Sequence, residues 1–187
     1  GRSYILPEYQ KSYSPLLLLW AGVLGFIARN PRYNIVFGSV ALTHGATYAP
    51  ASRTLIVNFM RQQHGHPGLS VQIEPDVPFK GVRLSGLTSD EISSLVHDIE
   101  DVSTLVTGLE TDGRGVPILF KHYARMNAKL LDFGMWTNHG NSVIGFMIVD
   151  LTTADPKFLR RYMGEDGFRT FQKHHGMTAP DAASPPA

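Results

Sequence analysis

Residues 15–28 decide most about how this chain can fold. Leu16, Leu17, Leu18, Leu19, Trp20, Val23, Leu24, Phe26 and Ile27 crowd into one stretch that leaves almost no polar face. Ser14 suits an N-cap and Pro15 the first helical position, while Arg29, Asn30 and Pro31 end the run, so the stretch reads as a helix. A helix that is apolar all round has to be covered on nearly all sides. At about 14 residues, or ~21 Å, it falls short of the ~20 residues that a bilayer-spanning helix needs. Residues 34–42, Asn-Ile-Val-Phe-Gly-Ser-Val-Ala-Leu, follow as a near-continuous apolar run of strand length, the pattern of a buried, parallel strand. Residues 1–6 read as a short strand broken by Pro7, so strand, helix and strand make a crossover unit.

Further on, Tyr48-Ala49-Pro50 opens a second helix with Leu55, Ile56, Phe59 and Met60 on one face, stopping near His64-Gly65-His66-Pro67-Gly68. Residues up to Leu87 have the prolines, glycines and scattered charges of an irregular connection, and Ser89-Asp90-Glu91 suits the cap of a helix running to about Leu105. Asp112-Gly113-Arg114-Gly115 is a turn, and Val116-Pro117 opens a helix carrying Ile118, Leu119, Tyr123 and Met126. Residues 130–133 and 143–151 read as strands, residues 156–163 as a last short helix, and 168–175 as a further turn. Three prolines and several alanines make a tail of the end.

One domain is expected from 187 residues. A formal charge of +1, from 17 Lys and Arg against 16 Asp and Glu, provides no bulk field for nucleic acid. The absence of cysteine removes disulfide frameworks, thiol nucleophiles and zinc ribbons, and is compatible with a reducing compartment. There is no Gly-x-Gly-x-x-Gly, no phosphate-cradling Gly-Lys-Ser/Thr, no Gly-x-Ser-x-Gly and no His-Glu-x-x-His, so dinucleotide, P-loop, hydrolase and zincin chemistries lose their main support. No histidine has an aspartate five residues on, which excludes the glycerolipid acyltransferase pair from this segment.

Of the eight histidines, His64 and His66 bracket a glycine in a loop without an identifiable third metal ligand, and His174 and His175 adjoin the tail, where a solvated role is expected. His44 is different. It lies just beyond the 34–42 strand, at the end where open sheets bind ligands, and is a candidate site residue.

Several linked segments carry a resemblance. Gly1-Arg2-Ser3-Tyr4-Ile5-Leu6-Pro7-Glu8-Tyr9, Leu17-Leu18-Leu19-Trp20-Ala21-Gly22, Asn30-Pro31-Arg32-Tyr33 and Phe37-Gly38 are followed in order by Gly115-Val116-Pro117, residues 123–128, Val149-Asp150-Leu151 and Arg161-Tyr162-Met163-Gly164. Together they resemble the GNAT-type acyltransferases that carry the label hemolysin, relatives of the ornithine N-acyltransferases of bacterial lipid synthesis. The resemblance implies an α/β chain that is the later part of a GNAT fold, a mixed sheet with helices on both faces and its first strands missing. Residues 1–176 would be that N-terminally truncated domain and 177–187 a flexible tail.

It also implies an N-acyltransferase that moves an acyl chain onto an amine acceptor such as ornithine, in the cytoplasm or peripherally at the inner membrane face. The donor would be the phosphopantetheine of acyl carrier protein, or coenzyme A, with no bound cofactor or metal. Leu6, the turn Gln10-Lys11-Ser12-Tyr13 and the helix start at Ser14 would hold the donor phosphate, because free amides and the positive end of the dipole gather at a helix start. Tyr13 and Pro15 stand where the family's turn has small residues, which shifts the expectation from coenzyme A to the acidic carrier protein, met by Lys11, Arg29 and Arg32. Arg2, a cation on an interior strand, must be paired or lie in the cleft, and with His44 it forms the candidate catalytic set. The family's acidic residue ahead of Gly1 lies outside the chain. Residues 135–140, Met-Trp-Thr-Asn-His-Gly, depart from an acidic pattern in relatives and would alter acceptor choice. Two alternatives stand beside this: a non-catalytic module binding lipid or carrier protein, and an acyl-homoserine-lactone-like synthase.

Overall fold

A computed structural model describes residues 6–9, 14–42, 48–84, 96–138 and 140–177. It is a mixed α and β structure whose elements group into two compact units, residues 1–36 with 150–187, and residues 37–149.

In the first unit, helix α1 (Ser14–Arg29) lies against the C-terminal helix, α5 (Pro156–His174). Trp20, Leu24 and Ile27 recur at helical spacing and are buried with Leu159, Met163, Phe168 and Phe171 of α5. Close approach is set at Gly167, where a Cβ would come within 2.8 Å of Ala28 Cβ. The expectation of a helix covered on nearly all sides is corrected here. Leu18 is 71% and Phe26 50% exposed, because α5 covers a single stripe and the apolar residues of α1 occupy more than one. Helix α5 kinks at Gly164, whose φ of 73° suits a residue without Cβ, so two helical pieces meet there. Between the helices, Asp150 Oδ1 accepts from Asn34 Nδ2 and from the amide and hydroxyl of Thr152, which ties the Val149-Asp150-Leu151 motif to a local turn.

The second unit holds a three-stranded sheet in the order β1-β3-β2, with β1 Ile35–Ala41, β2 Lys129–Trp136 and β3 Ser142–Asp150. Strands β2 and β3 are antiparallel. Strand β1 also runs against β3: the Leu42 amide donates to the Val143 carbonyl, while Phe37, upstream, meets Phe146, downstream. Among the described residues β1 is thus an antiparallel edge strand, not the buried parallel strand of a mixed sheet, and Phe37 is 69% exposed. A continuous apolar run fixes strand length, but neither orientation nor the number of covered faces. The first strand of the expected crossover, residues 1–5, lies outside the described residues, and Leu6 precedes a short 3-10 turn, Pro7–Tyr9.

Strand β3 alternates, burying Val143, Met147 and Val149 and exposing their neighbours more. Gly145 sits opposite Phe133, whose ring passes within 2.8 Å of where a Cβ would stand. That ring stacks on Phe120 of helix α4 (Ile118–Arg125) at 5.9 Å. A bulge in β2 between Leu130 and Asp132 lets two successive residues, Leu130 and Leu131, both be buried. Helix α2 (Pro50–His64) buries Leu55, Ile56, Phe59 and Met60, the face its spacing predicts. Residues 96–98 are not helical, and helix α3 (Ile99–Leu109) starts at a reciprocal capping box formed by Asp98 and Asp101. Residues 89–91 lie outside the described residues. The turn residues Gly115-Val116-Pro117 pack on α3: a Cβ at Gly115 would fall on Ser103 Oγ, and that oxygen accepts the Val116 amide at 3.0 Å.

Candidate functional site

A cleft of about 470 Å³ opens in the second unit where the first turn of α2 meets residues 76–82 and Met135 of β2. Its construction follows from backbone pairing that the sequence hides. The Phe79 amide donates to the Phe133 carbonyl at 3.2 Å and the Met135 amide to the Val77 carbonyl at 2.7 Å, so residues 77–79 run along the free edge of β2. From there the chain crosses α2. Thr54 Oγ1 accepts the Val82 amide at 3.0 Å while donating to the Pro50 carbonyl, and a Cβ at Gly81 would reach to 2.9 Å from Thr54 Cγ2. Gly134 is held equally close, beneath Pro75.

Arg53, Lys80 and Asp76 are the charged groups of this cleft, and none of the three has an ion-pair partner among the described residues. Arg53 Nε is buried without a hydrogen-bond partner among the described residues. Arg53 lies in the first turn of α2, which carries no acidic residue, so the positive helix end and the guanidinium add their potentials. Cations are ordinarily placed at the other end of a helix. That misplaced charge is the signal the sequence offers, whereas the irregular composition up to Leu87 gives no sign that residues 77–79 pair with β2.

Several polar groups near the start of α2 and on the sheet are paired. Glu110 Oε1 accepts the Ala49 amide at 2.9 Å and so caps α2, whose N-cap residue has no side-chain acceptor of its own. The Tyr48 hydroxyl donates to the Gly115 carbonyl at 2.7 Å, and burial raises its pKa, with Arg114 over the ring opposing. The Asp112 carboxyl is lowered by its hydrogen bond to Arg114. At the β2 bulge Asp132 Oδ1 accepts from Nε and Nη2 of Arg61, at 3.1 and 2.9 Å, which anchors α2 to the sheet.

The histidines take local roles. His66 Nδ1 accepts the amides of Gly68 and Leu69, at 3.2 and 3.0 Å, and holds the loop after α2. His64 Nδ1 is buried without a partner, and burial lowers its pKa, helped by Lys129. His175 is half-buried on Phe171 with its ring nitrogen 2.6 Å from the Pro31 carbonyl, a correction to the solvated role expected of it; His174 is exposed. Among the described residues no three His, Asp or Glu side chains form a metal-binding group.

Of the residues singled out from sequence, Arg2, Gln10, Lys11, Ser12, Tyr13 and His44 lie outside the described residues, as does the side chain of Ser14. Leu6 is exposed, and its carbonyl accepts the Tyr9 amide at 2.9 Å. Arg29 and Arg32 are exposed, with Arg32 stacked over Tyr33. None of the described members lies in the cleft. No protein-family model, curated protein or solved structure matches this chain. No described helix is long and apolar enough to cross a membrane.

Proposed function

We propose that this chain is the later part of a GNAT-like N-acyltransferase that passes an acyl chain from acyl carrier protein, or coenzyme A, to an amine acceptor at the cytoplasmic face of the membrane. The observation that carries the proposal is the ordered series of motifs from Gly1-Arg2-Ser3 to Arg161-Tyr162-Met163-Gly164. Helix α1 beginning at Ser14, directly after residues 10–13, supports it, since the first amides of a helix lack intrahelical partners and attract phosphate. The structural duties of Gly115 and Gly164 make two of the motifs matters of folding, which leaves the chemistry to the N-terminal segment.

In this reaction the acceptor nitrogen attacks the thioester carbonyl, the carbon–sulfur bond breaks, and the amine's proton leaves with the carrier thiolate as free thiol. Arg2 and His44 are the residues assigned to orient the reacting groups; Leu6, Gln10, Lys11, Ser12, Tyr13 and Ser14 would hold the donor. Thiol release from acyl carrier protein and from coenzyme A thioesters, with ornithine and other amines as acceptors, tests it. Amine-dependent release that is lost in Arg2→Ala is expected. No release with either donor overturns it. The rival reading, a module that binds carrier protein without turnover, is favoured by Pro15, which removes one of the amides of the α1 start. It predicts carrier binding in the absence of thiol release.

A further inference from the structure

The cleft between α2 and residues 76–82 lies within the second unit, and its reading does not depend on the acyl-transfer proposal. We propose that it binds a small organic anion, a carboxylate or phosphate borne on a short apolar body, with Arg53 as its anchor.

Three observations converge. Arg53 Nε is buried yet unpartnered, and a buried donor without an acceptor is costly, so such groups are normally satisfied by protein, water or ligand. Arg53 lines the cleft, and a guanidinium takes a carboxylate or phosphate in two parallel bonds. Lys80 adds a second unpaired cation against the single carboxylate of Asp76, leaving the cleft net positive. Val77, Pro78, Val82 and Met135 supply an apolar wall, and about 470 Å³ is room for a small molecule rather than an ion alone. An exposed surface arginine shows none of this, because water satisfies its Nε.

The Arg53 Nε–H resonance of the full chain, followed by nitrogen-15 NMR, reports the site directly. Butyrate and inorganic phosphate are the probes, and n-butylamine, of similar size and opposite charge, is the control. We expect saturable shifts of that resonance with at least one anion and none with n-butylamine; butyrate alone identifies a carboxylate ligand, and phosphate alone a phosphorylated one. Arg53→Gln, followed on the backbone amide resonances of Thr54 and Phe79 in the cleft wall, should weaken binding at least tenfold with the circular dichroism spectrum unchanged. Should Arg53→Gln fail to fold, Val82→Trp, at a half-exposed position on the cleft wall, blocks the space and should abolish the shifts. Absence of any saturable shift with both anions overturns the proposal, as does binding that survives both replacements.

Discussion

Single residues in this chain are constrained by close approach and by burial. Gly115 is the sharpest case, because its missing Cβ leaves room for Ser103 Oγ, which in turn accepts the Val116 amide. Gly115→Ala must push the turn away from α3 and should cost roughly 1–3 kcal/mol, read from the urea midpoint. His64 carries a pH dependence whose sign is fixed by its burial. Burial holds its folded pKa below the ordinary histidine value of 6.5, so the unfolded chain binds more protons just beneath that value. Stability is therefore complete above pH 6.5 and falls as the pH drops through it toward the folded pKa. His122, lowered by burial and by Arg125, adds in the same direction. Thermal unfolding between pH 7 and about pH 5 should show this loss, and His64→Asn should flatten it. A pH-independent midpoint for the unsubstituted chain contradicts the assignment.

Among the elements, α2 depends on a cap supplied from elsewhere in the chain. Ala49 offers no side-chain acceptor, and Glu110, at the end of α3, fills the role across 61 positions of sequence. Glu110→Ala should cost about 1 kcal/mol, whereas Glu110→Gln, which keeps an acceptor oxygen, should cost less. Equal midpoints for the alanine variant and the unsubstituted chain would remove the cap from the account. The spacing of Leu55, Ile56, Phe59 and Met60 made α2 legible beforehand, and alternation did the same for β3. The expected single helix running through to Leu105 is interrupted at residues 96–98, where the capping box of Asp98 and Asp101 starts α3 and Val102 and Val106 bury its face. The apolar run of β1 is indifferent to strand position, so the sequence alone suggests burial; its place at the edge is a property of the sheet.

At the level of the whole molecule, both units carry apolar residues on their surfaces: Leu18 and Phe26 in one, Phe37 and Val71 in the other. Exposed apolar patches of this kind drive association. Sedimentation of the chain should depend on concentration, and the paired substitution Leu18→Glu with Phe26→Glu should reduce that dependence while leaving the α1–α5 core, built on Leu24 and Ile27, intact. Monomeric sedimentation of the unsubstituted chain at all concentrations would show that this face is inert. The acyl-transfer proposal also belongs to this scale, since it rests on segments spread from Gly1 to Gly164.

Local chemistry was sufficient for α1, α2, α4 and β3, because caps, proline positions and apolar periodicity act between residues a few positions apart. The same local information marked Gly115-Val116-Pro117 and Val149-Asp150-Leu151 as special without saying that Ser103 and Asn34 are what they serve. Antiparallel pairing of β1 with β3, the run of residues 77–79 along β2, the burial of His175 and the gathering of Arg53, Asp76 and Lys80 around one cleft were decided only by tertiary structure. Each of these joins segments distant in sequence, and such contacts are selected by the packing of the assembled unit, which no local pattern encodes.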